Sequence, residues 1–381
     1  MINYNTTGAS LKRGLVNFSK KITKNLTKPV QKFVTDMIYG IIASKSCKLT
    51  EIGKELKEKI SLKKVTERLG RNLKNFTDSD TLMKDYLDAI RPSIGKNTMI
   101  LIDPGDVVKP SSPKMESIGT VYDASEKTYA QGYWTIGAVA LTENHRQPIP
   151  VYEKLYPCTK QGGKGKKAEV AETVEHLRKH FSKDIPRIFD RGLDTTAVLT
   201  DLVSNDEKFI IRVNQNRLCV HKGKQTYIND VVKGLVCTHK FSYKNKTDQK
   251  FNCKIGMTQI ILPKLGNMKL NLVVCKGLED TLVLYTNLDE TIEDIAVCAV
   301  KAYLMRWRIE EYYEFKKQSF SFEDFRVRSL NAIKNLNILL SIAIGYIAVL
   351  SEKVDQELYA LQLLEISGKN KPFVYSCDDL K

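Results

Sequence analysis

Residues 98–108 read T-M-I-L-I-D-P-G-D-V-V, and residues 185–194 read I-P-R-I-F-D-R-G-L-D. In each, a short apolar run ends on an aspartate, Asp103 or Asp190, followed at once by turn-forming residues. Runs of that length bounded by Pro and Gly predict buried strands stopped by turns, over 98–102 and 185–189. Working outward, Tyr133–Leu141 and Ile149–Tyr156 alternate as two further strands of an antiparallel meander. A helix is expected from Ala168 to Phe181 after a loop of Gly162, Gly163, Lys164, Gly165, Lys166 and Lys167. A second helix through Leu199 and Leu202 then leads into a strand at Phe209–Val213. Strands interleaved with helices in this way predict a mixed α/β sheet.

The flanks differ from this centre. Residues 216–288 are almost wholly strands and turns, including Ile255–Leu262, Leu270–Val274 and Thr281–Tyr285, whereas helices are expected at Thr291–Lys317 and Leu330–Leu350. The β-rich stretch therefore looks inserted into the α/β unit. On the N-terminal side, Val30, Phe33, Val34, Met37, Ile38 and Ile41 recur at helical steps. Two short amphipathic segments follow, one with Ile52 and Leu56 and one with Val65 and Leu69, joined near Ile60-Ser61. That pattern suits a helix-turn-helix whose second helix turns Lys63, Lys64, Arg68 and Arg71 toward phosphates or base edges. It equally suits a helical hairpin with a solvated basic face. The resulting division is a helical region at 1–80, an α/β core at 81–215, a β-rich insertion at 216–289, the rest of the core at 290–352 and a tail at 353–381.

Charge sharpens the choice of partner. The chain carries 60 basic against 44 acidic residues, a formal net charge of +16. Residues 1–80 hold 17 basic and 7 acidic residues, so most of the excess lies in that stretch, as expected of a module for a polyanion. Eight cysteines without a C-x-x-C pair supply neither a zinc framework nor a disulfide scaffold. They point to the reducing cytoplasm, near the nucleoid for a DNA-binding chain. Five histidines form no H-E-x-x-H zinc motif. Lys12, Arg13, Lys20 and Lys21 interrupt the N-terminal apolar stretches, so no signal peptide is expected. The long run Ile338–Leu350 contains Ser341 and Gly345 and is short of the ~20 residues of a membrane span, so a buried helix is expected there and no membrane partner.

The chemistry concentrates near Tyr303, where Tyr303, Arg306, Glu310 and Lys317 follow one another along the expected helix. At ~100° per residue all four fall on one arc about 60° wide. Glu314 lies at the edge of that arc, and a solvated stripe of paired charges has the same appearance. A strand-end aspartate is likewise often only a turn cap. Three acids arriving from two strands and one helix suit another purpose, that of holding divalent cations through hard oxygen ligands for phosphoryl transfer.

The spacing Y-x2-R-x3-E-x6-K at Tyr303, Arg306, Glu310 and Lys317 resembles the YREK signature of the insertion-sequence-four group of DDE transposases. L-I-D-P-G-D-V-V-K (Leu101–Lys109) and F-D-R-G-L-D (Phe189–Asp194) resemble that group's first and second aspartate motifs, in the same order. The resemblance implies a ribonuclease-H-like catalytic domain with a β-strand insertion ahead of the helix bearing the third acid. It implies that Asp103, Asp190 and Glu310 are the catalytic, metal-binding triad for two Mg²⁺ ions, with Mn²⁺ an acceptable substitute. It further implies that Tyr303, Arg306 and Lys317 hold the DNA backbone, and that a homodimer pairs two element ends. The expected partner is double-stranded DNA, as terminal inverted repeats and as target. Asp106 and Asp194 are nearby acids that compete for the ligand role. A metal nuclease without strand transfer, or an inactive DNA-binding derivative, are the alternatives.

Overall fold

The computed structural model describes residues 4–95, 97–123, 126–142, 147–158, 165–245, 248–288 and 294–351, with side chains from Arg13 onward. The tail expected at 353–381 and loop residues 162–164 lie outside them. Among the described residues, five helices come first: α1 (Tyr4–Ile22), α2 (Lys28–Ser44), α3 (Leu49–Glu55), α4 (Leu62–Asn75) and α5 (Ser79–Ile90). Next come β1 (Met99–Val108), β2 (Gly119–Asp123), β3 (Thr128–Leu141), β4 (Ile149–Tyr156), α6 (Lys166–His180), β5 (Arg187–Phe189), α7 (Thr196–Ser204) and β6 (Phe209–Arg212). The β-rich stretch holds β7 (Leu218–His221), β8 (Lys224–Tyr227), α8 (Ile228–Gly234), β9 (His239–Lys244), β10 (Lys250–Leu262), β11 (Met268–Lys276) and β12 (Leu282–Thr286). The chain then runs through α9 (Ile295–Leu304), α10 (Arg308–Ser319) and α11 (Leu330–Ser351).

These elements form two compact units, and the strands in both make the fold mixed α/β. One comprises residues up to Gly95, Pro104–Glu169 and the described residues from Glu310 onward. Its core is built on α11, which packs against α2, α4, α5 and β4. Helix α2 presents Phe33, Val34, Met37, Ile38 and Ile41 to this core, the face that the sequence spacing marks. Gly345 on α11 lies where any side chain would collide with Tyr86 of α5, whose hydroxyl donates to Pro150 O at 2.7 Å. By length and composition α11 could cross a membrane, but 78% of its most apolar window is buried. Core burial is the simpler cause of its apolarity. Strands β3 and β4 pair antiparallel, with Trp134 opposite Tyr156.

The other unit comprises residues through Asp103 from 96 onward and Val170–Ile309. Here the first part of β1 pairs parallel with β5, and β5 parallel with β6. Antiparallel pairing then adds β12 to β6, β11 to β12, and β10 to β11, while β7 and β9 each pair with β10 and β8 pairs with β7. Helix α9 lies against β6, β10, β11 and β12. The β-rich stretch is thus joined to the α/β sheet through the β12–β6 ladder.

Three sequence expectations need correction. Strand β1 does not stop at Asp103 but runs on through Pro104-Gly105 to Val108. Gly105 serves close packing there, since a Cβ would lie 2.9 Å from Thr135 Oγ1, and not a turn. The β-rich stretch also contains helix α8, whose Ile228, Val231 and Val232 are buried. Finally, the single helix expected over 291–317 is two helices, α9 and α10, separated at Met305–Trp307.

Candidate active site

The site begins with a register. Ile100, Leu101 and Ile102 of β1 stand opposite Arg187, Ile188 and Phe189 of β5, so the next residue on each parallel strand is Asp103 on one and Asp190 on the other. Adjacent strands lie about 4.8 Å apart, so Asp103, where β1 runs past its pairing with β5, and Asp190, at the end of β5, lie side by side. Ile100, Leu101, Ile102, Ile188 and Phe189 are fully buried, which fixes the strands, whereas Asp103 and Asp190 are half-buried just past the paired residues. Rigid strands that diverge after a buried pairing hold two carboxylates at a set separation.

Donors arrive from the joint between α9 and α10. Tyr303 Oη donates to Asp190 Oδ1 at 2.8 Å, and Arg306 Nη1 donates to Asp103 Oδ2 at 3.1 Å. The joint explains why both reach the strand ends. Backbone bonds Arg306 N to Tyr303 O (2.9 Å), Arg308 N to Met305 O (3.0 Å) and Ile309 N to Arg306 O (3.1 Å) mark 3₁₀-type winding. In that winding side chains three apart eclipse, so Tyr303 and Arg306 project together. The expected common arc of four residues, calculated for one uninterrupted α-helix, does not survive the joint.

Burial drives the Asp190 carboxyl upward, but hydrogen bonds from the Arg191 backbone and Tyr303, with the charges of Arg306 and Arg212, outweigh it and hold the group below its ordinary range. Burial and the neighbouring Asp190 charge push the Tyr303 phenol well up, so it remains a donor. Two neighbouring carboxyl groups bordered by neutral and cationic donors suit a hard divalent cation. Among the described residues, no group of three or more His, Cys, Asp or Glu side chains is gathered for one ion.

The remaining sequence candidates divide clearly. Glu310 is exposed on α10. Lys317 Nζ pairs with Asp106 Oδ2 at 2.9 Å and with Glu323 Oε1 at 3.2 Å, so Asp106 serves an internal ion pair. Asp194 is also committed internally: it accepts from Asn214 N at 2.7 Å and from Arg217 Nη2 at 2.6 Å, with no side-chain exposure. Burial raises its carboxyl pKa. Neither rival acid resembles a strand-end ligand. On α4, Lys63, Lys64 and Arg71 are exposed, whereas Arg68 is held by Glu58 at 2.7 Å and by Asp36 at 3.7 Å. Helices α3 and α4 pack together around Ile52, Val65 and Leu69.

Sequence reasoning missed Arg212, which sits on β6 and contributes to holding Asp190 ionised. Its position three residues into an apolar strand, F-I-I-R, was the available signal.

No protein-family model matches the chain, and no curated protein matches it significantly. Among solved structures, the cryo-electron-microscopy structure of a piggyBac transposase synaptic complex with hairpin DNA is similar to it. The TM-score is 0.47 at 10% identity, over 94% of this chain and 77% of that chain. A likeness of that size settles neither family nor activity.

Proposed function

We propose that the chain is a metal-dependent DNA transposase of the DDE kind, which cleaves the ends of its own element and transfers the freed strand to target DNA. The observation that carries this reading is the β1–β5 register that sets Asp103 beside Asp190, each met by a donor from the Y-x2-R segment. An antiparallel pair, β3 with β4, and a parallel set, β1 with β5 and β6, with a β-rich insertion ahead of α9, support a ribonuclease-H-like core.

In this reading Asp103 and Asp190 hold divalent ions, Mg²⁺ or Mn²⁺, and Glu310 joins them on the strength of its sequence motif. Two such ions, when bound, activate the attacking oxygen and stabilise the leaving one. The chain's own groups do the positioning. Arg306 and Tyr303 orient the two carboxyl groups and favour the charged form of Asp190, and are placed to exchange those partners for phosphate oxygens of a bound DNA strand. Lys317 is assigned to the same backbone. The basic α3–α4 pair is assigned to the terminal inverted repeats through Lys63, Lys64 and Arg71, with Arg68 available once released from Glu58. A homodimer that pairs two ends completes the proposal, acting in the cytoplasm at the nucleoid.

The test uses plasmid carrying the element ends and pre-cleaved ends with a separate target, each with Mg²⁺ and with chelator. Metal-dependent nicking at the ends and joined product are expected, and both should vanish in Asp103→Asn, Asp190→Asn and Glu310→Gln. Cleavage without joined product would convert the proposal to a nuclease. Binding of the ends with no cleavage in any metal would leave only a DNA-binding derivative.

A further inference from the structure

The β-rich unit carries a second charged feature, away from the acidic strand ends in sequence and different in sign. Strands β9 and β10 pair with Lys244 opposite Lys250, Ser242 opposite Asn252 and Lys240 opposite Lys254. Across the next ladder Lys254 stands opposite Lys276 of β11. Residues directly opposite in an antiparallel pair share a face, with Cβ atoms about 5 Å apart. One face of the ribbon therefore carries a row of three lysines and a row of two, with Ser242 and Asn252 between them. Lys240, Lys244, Lys250, Lys254, Ser242 and Asn252 are all exposed. The other face holds Phe241, Tyr243, Phe251, Cys253 and Ile255, with the Tyr243 and Phe251 rings stacked at 6.4 Å.

A solvated ribbon face needs polar residues, but it does not need like charges opposite one another. Opposed lysines destabilise the pairing, while alternating signs would strengthen it. Yet 239–244 and 250–255 contain four lysines and no acid. Among the described residues, no ion pair engages Lys240, Lys244, Lys250 or Lys254. Lys276 differs, since it donates to Leu235 O at 3.1 Å. Folding thus concentrates positive charge on a hairpin and leaves its neutralisation to something outside the fold.

The spacing suits a particular polyanion. The two rows are four residues apart along each strand, about 13 Å. That is close to the roughly 12 Å width of a B-DNA major groove, which admits a two-stranded ribbon. We propose that the lysine face of the β9–β10 ribbon binds the phosphate backbone of double-stranded DNA, separately from the acidic site. Lys240 and Lys254 take one phosphate strand and Lys244 and Lys250 the facing one. Ser242 and Asn252 offer neutral hydrogen bonds between them. The choice of duplex DNA rests on the function proposed above, but the binding requires no cleavage.

The experiment measures binding of the full chain, in chelator, to a short duplex of random sequence across a salt series. A variant with K240Q, K244Q, K250Q and K254Q is compared with one carrying K222Q, K224Q, K264Q and K269Q, which removes equal charge from other exposed positions of the same unit. At about 0.1 M salt the ribbon variant should bind at least tenfold more weakly, and the slope of log K against log salt should flatten by about 3. The control should stay within about threefold of the parent. Relief of lysine repulsion should leave the ribbon variant's thermal midpoint unchanged or raised. A Lys→Arg quartet at the ribbon positions should bind as the parent does. Equal losses in both quartets, or no loss in either, would overturn the proposal. So would a loss seen with single-stranded RNA or anionic vesicles and not with the duplex. Should cleavage fail in every metal while the ribbon result holds, the transposase reading falls and this one stands.

Discussion

Two ionic clusters draw their cations from Arg306 and Lys316, either side of the start of α10, and they are built to opposite ends. In one unit, Lys316 of α10 donates to Glu153 Oε1 at 2.9 Å and to Asn337 Oδ1 at 2.7 Å. Tyr312 reaches Glu153 Oε2 at 3.1 Å and Ser341 Oγ at 3.0 Å. Side-chain exposure is 3% for Lys316 and 1% for Glu153, so this cluster is sealed by β4, α10 and α11. In the other unit, Arg306 and Asp103 retain 17% and 20% exposure, and Arg306 Nη1 meets Asp103 Oδ2 at 3.1 Å. A sealed ion pair offsets its desolvation only through saturation by neighbours, and losing one member strands the other. A pair at a strand end keeps access for a ligand and has donors able to change partners. The contrast separates charges that hold the fold from charges available for chemistry, although the residue types are the same.

The contrast predicts opposite responses to substitution. Asp190→Asn and Asp103→Asn should each lower metal-dependent cleavage by about three orders of magnitude or more, equivalent to some 4 kcal/mol of barrier. The thermal midpoint of Asp103→Asn should barely move, because its pair with Arg306 is partly exposed, and that of Asp190→Asn should fall by no more than loss of the Tyr303 bond accounts for. Cleavage retained within tenfold in both variants would remove the open cluster from the chemistry. Lys316→Met should do the reverse, costing about 3–5 kcal/mol in urea unfolding by leaving Glu153 buried and unpaired. Adding Glu153→Gln to that variant should recover a good part of the loss. A cost under about 1 kcal/mol for Lys316→Met would show that the closed cluster is not sealed in solution.

How much of this was legible depends on the range of the interaction responsible. The strands that carry Asp103 and precede Asp190 were readable because apolar runs of strand length are local signals, and the basic α3–α4 pair was readable for the same reason. The β1 extension was not, because Pro104-Gly105 has the local chemistry of a turn while Gly105 is selected by contact with Thr135, thirty residues away. The joint at Met305–Trp307 was equally hidden. Nothing in L-M-R-W-R breaks a helix, and the packing of α9 against β6 and β10–β12 outranks propensity there. The pairing of lysines across β9 and β10 required register, which strand periodicity cannot supply.

Between the two extremes lies the Tyr303–Asp190 bond. Tyr303→Phe removes a hydrogen bond to a charged acceptor and should lower stability by about 1.5–3 kcal/mol at neutral pH. Because Asp190 is held below its ordinary range, the stability it contributes is present above the unfolded carboxyl pKa and is lost as pH falls through the folded value. Parent and variant unfolding curves should therefore converge in acid. Curves that stay parallel across that window would mean that the hydroxyl does not favour the ionised carboxylate.

The smallest effect belongs to the exposed edge of the α3–α4 pair, where Glu58 holds Arg68 at 2.7 Å and Lys32 at 3.3 Å. Burial raises the Glu58 carboxyl, but the bonds and charges of Arg68 and Lys32 prevail and keep it below its ordinary range. With solvent screening, such a pair contributes at most about 1 kcal/mol, present at neutral pH and lost as pH falls through the folded pKa. Glu58→Gln should therefore destabilise the protein by under about 1 kcal/mol at neutral pH and not at all in acid. If Arg68 is a phosphate ligand restrained by Glu58, the same variant should bind element ends more tightly and steepen the salt slope by about 1. An unchanged slope with the small stability loss intact would assign Arg68 to the fold, beside Lys316, and leave Lys63, Lys64 and Arg71 as the DNA contacts of α4.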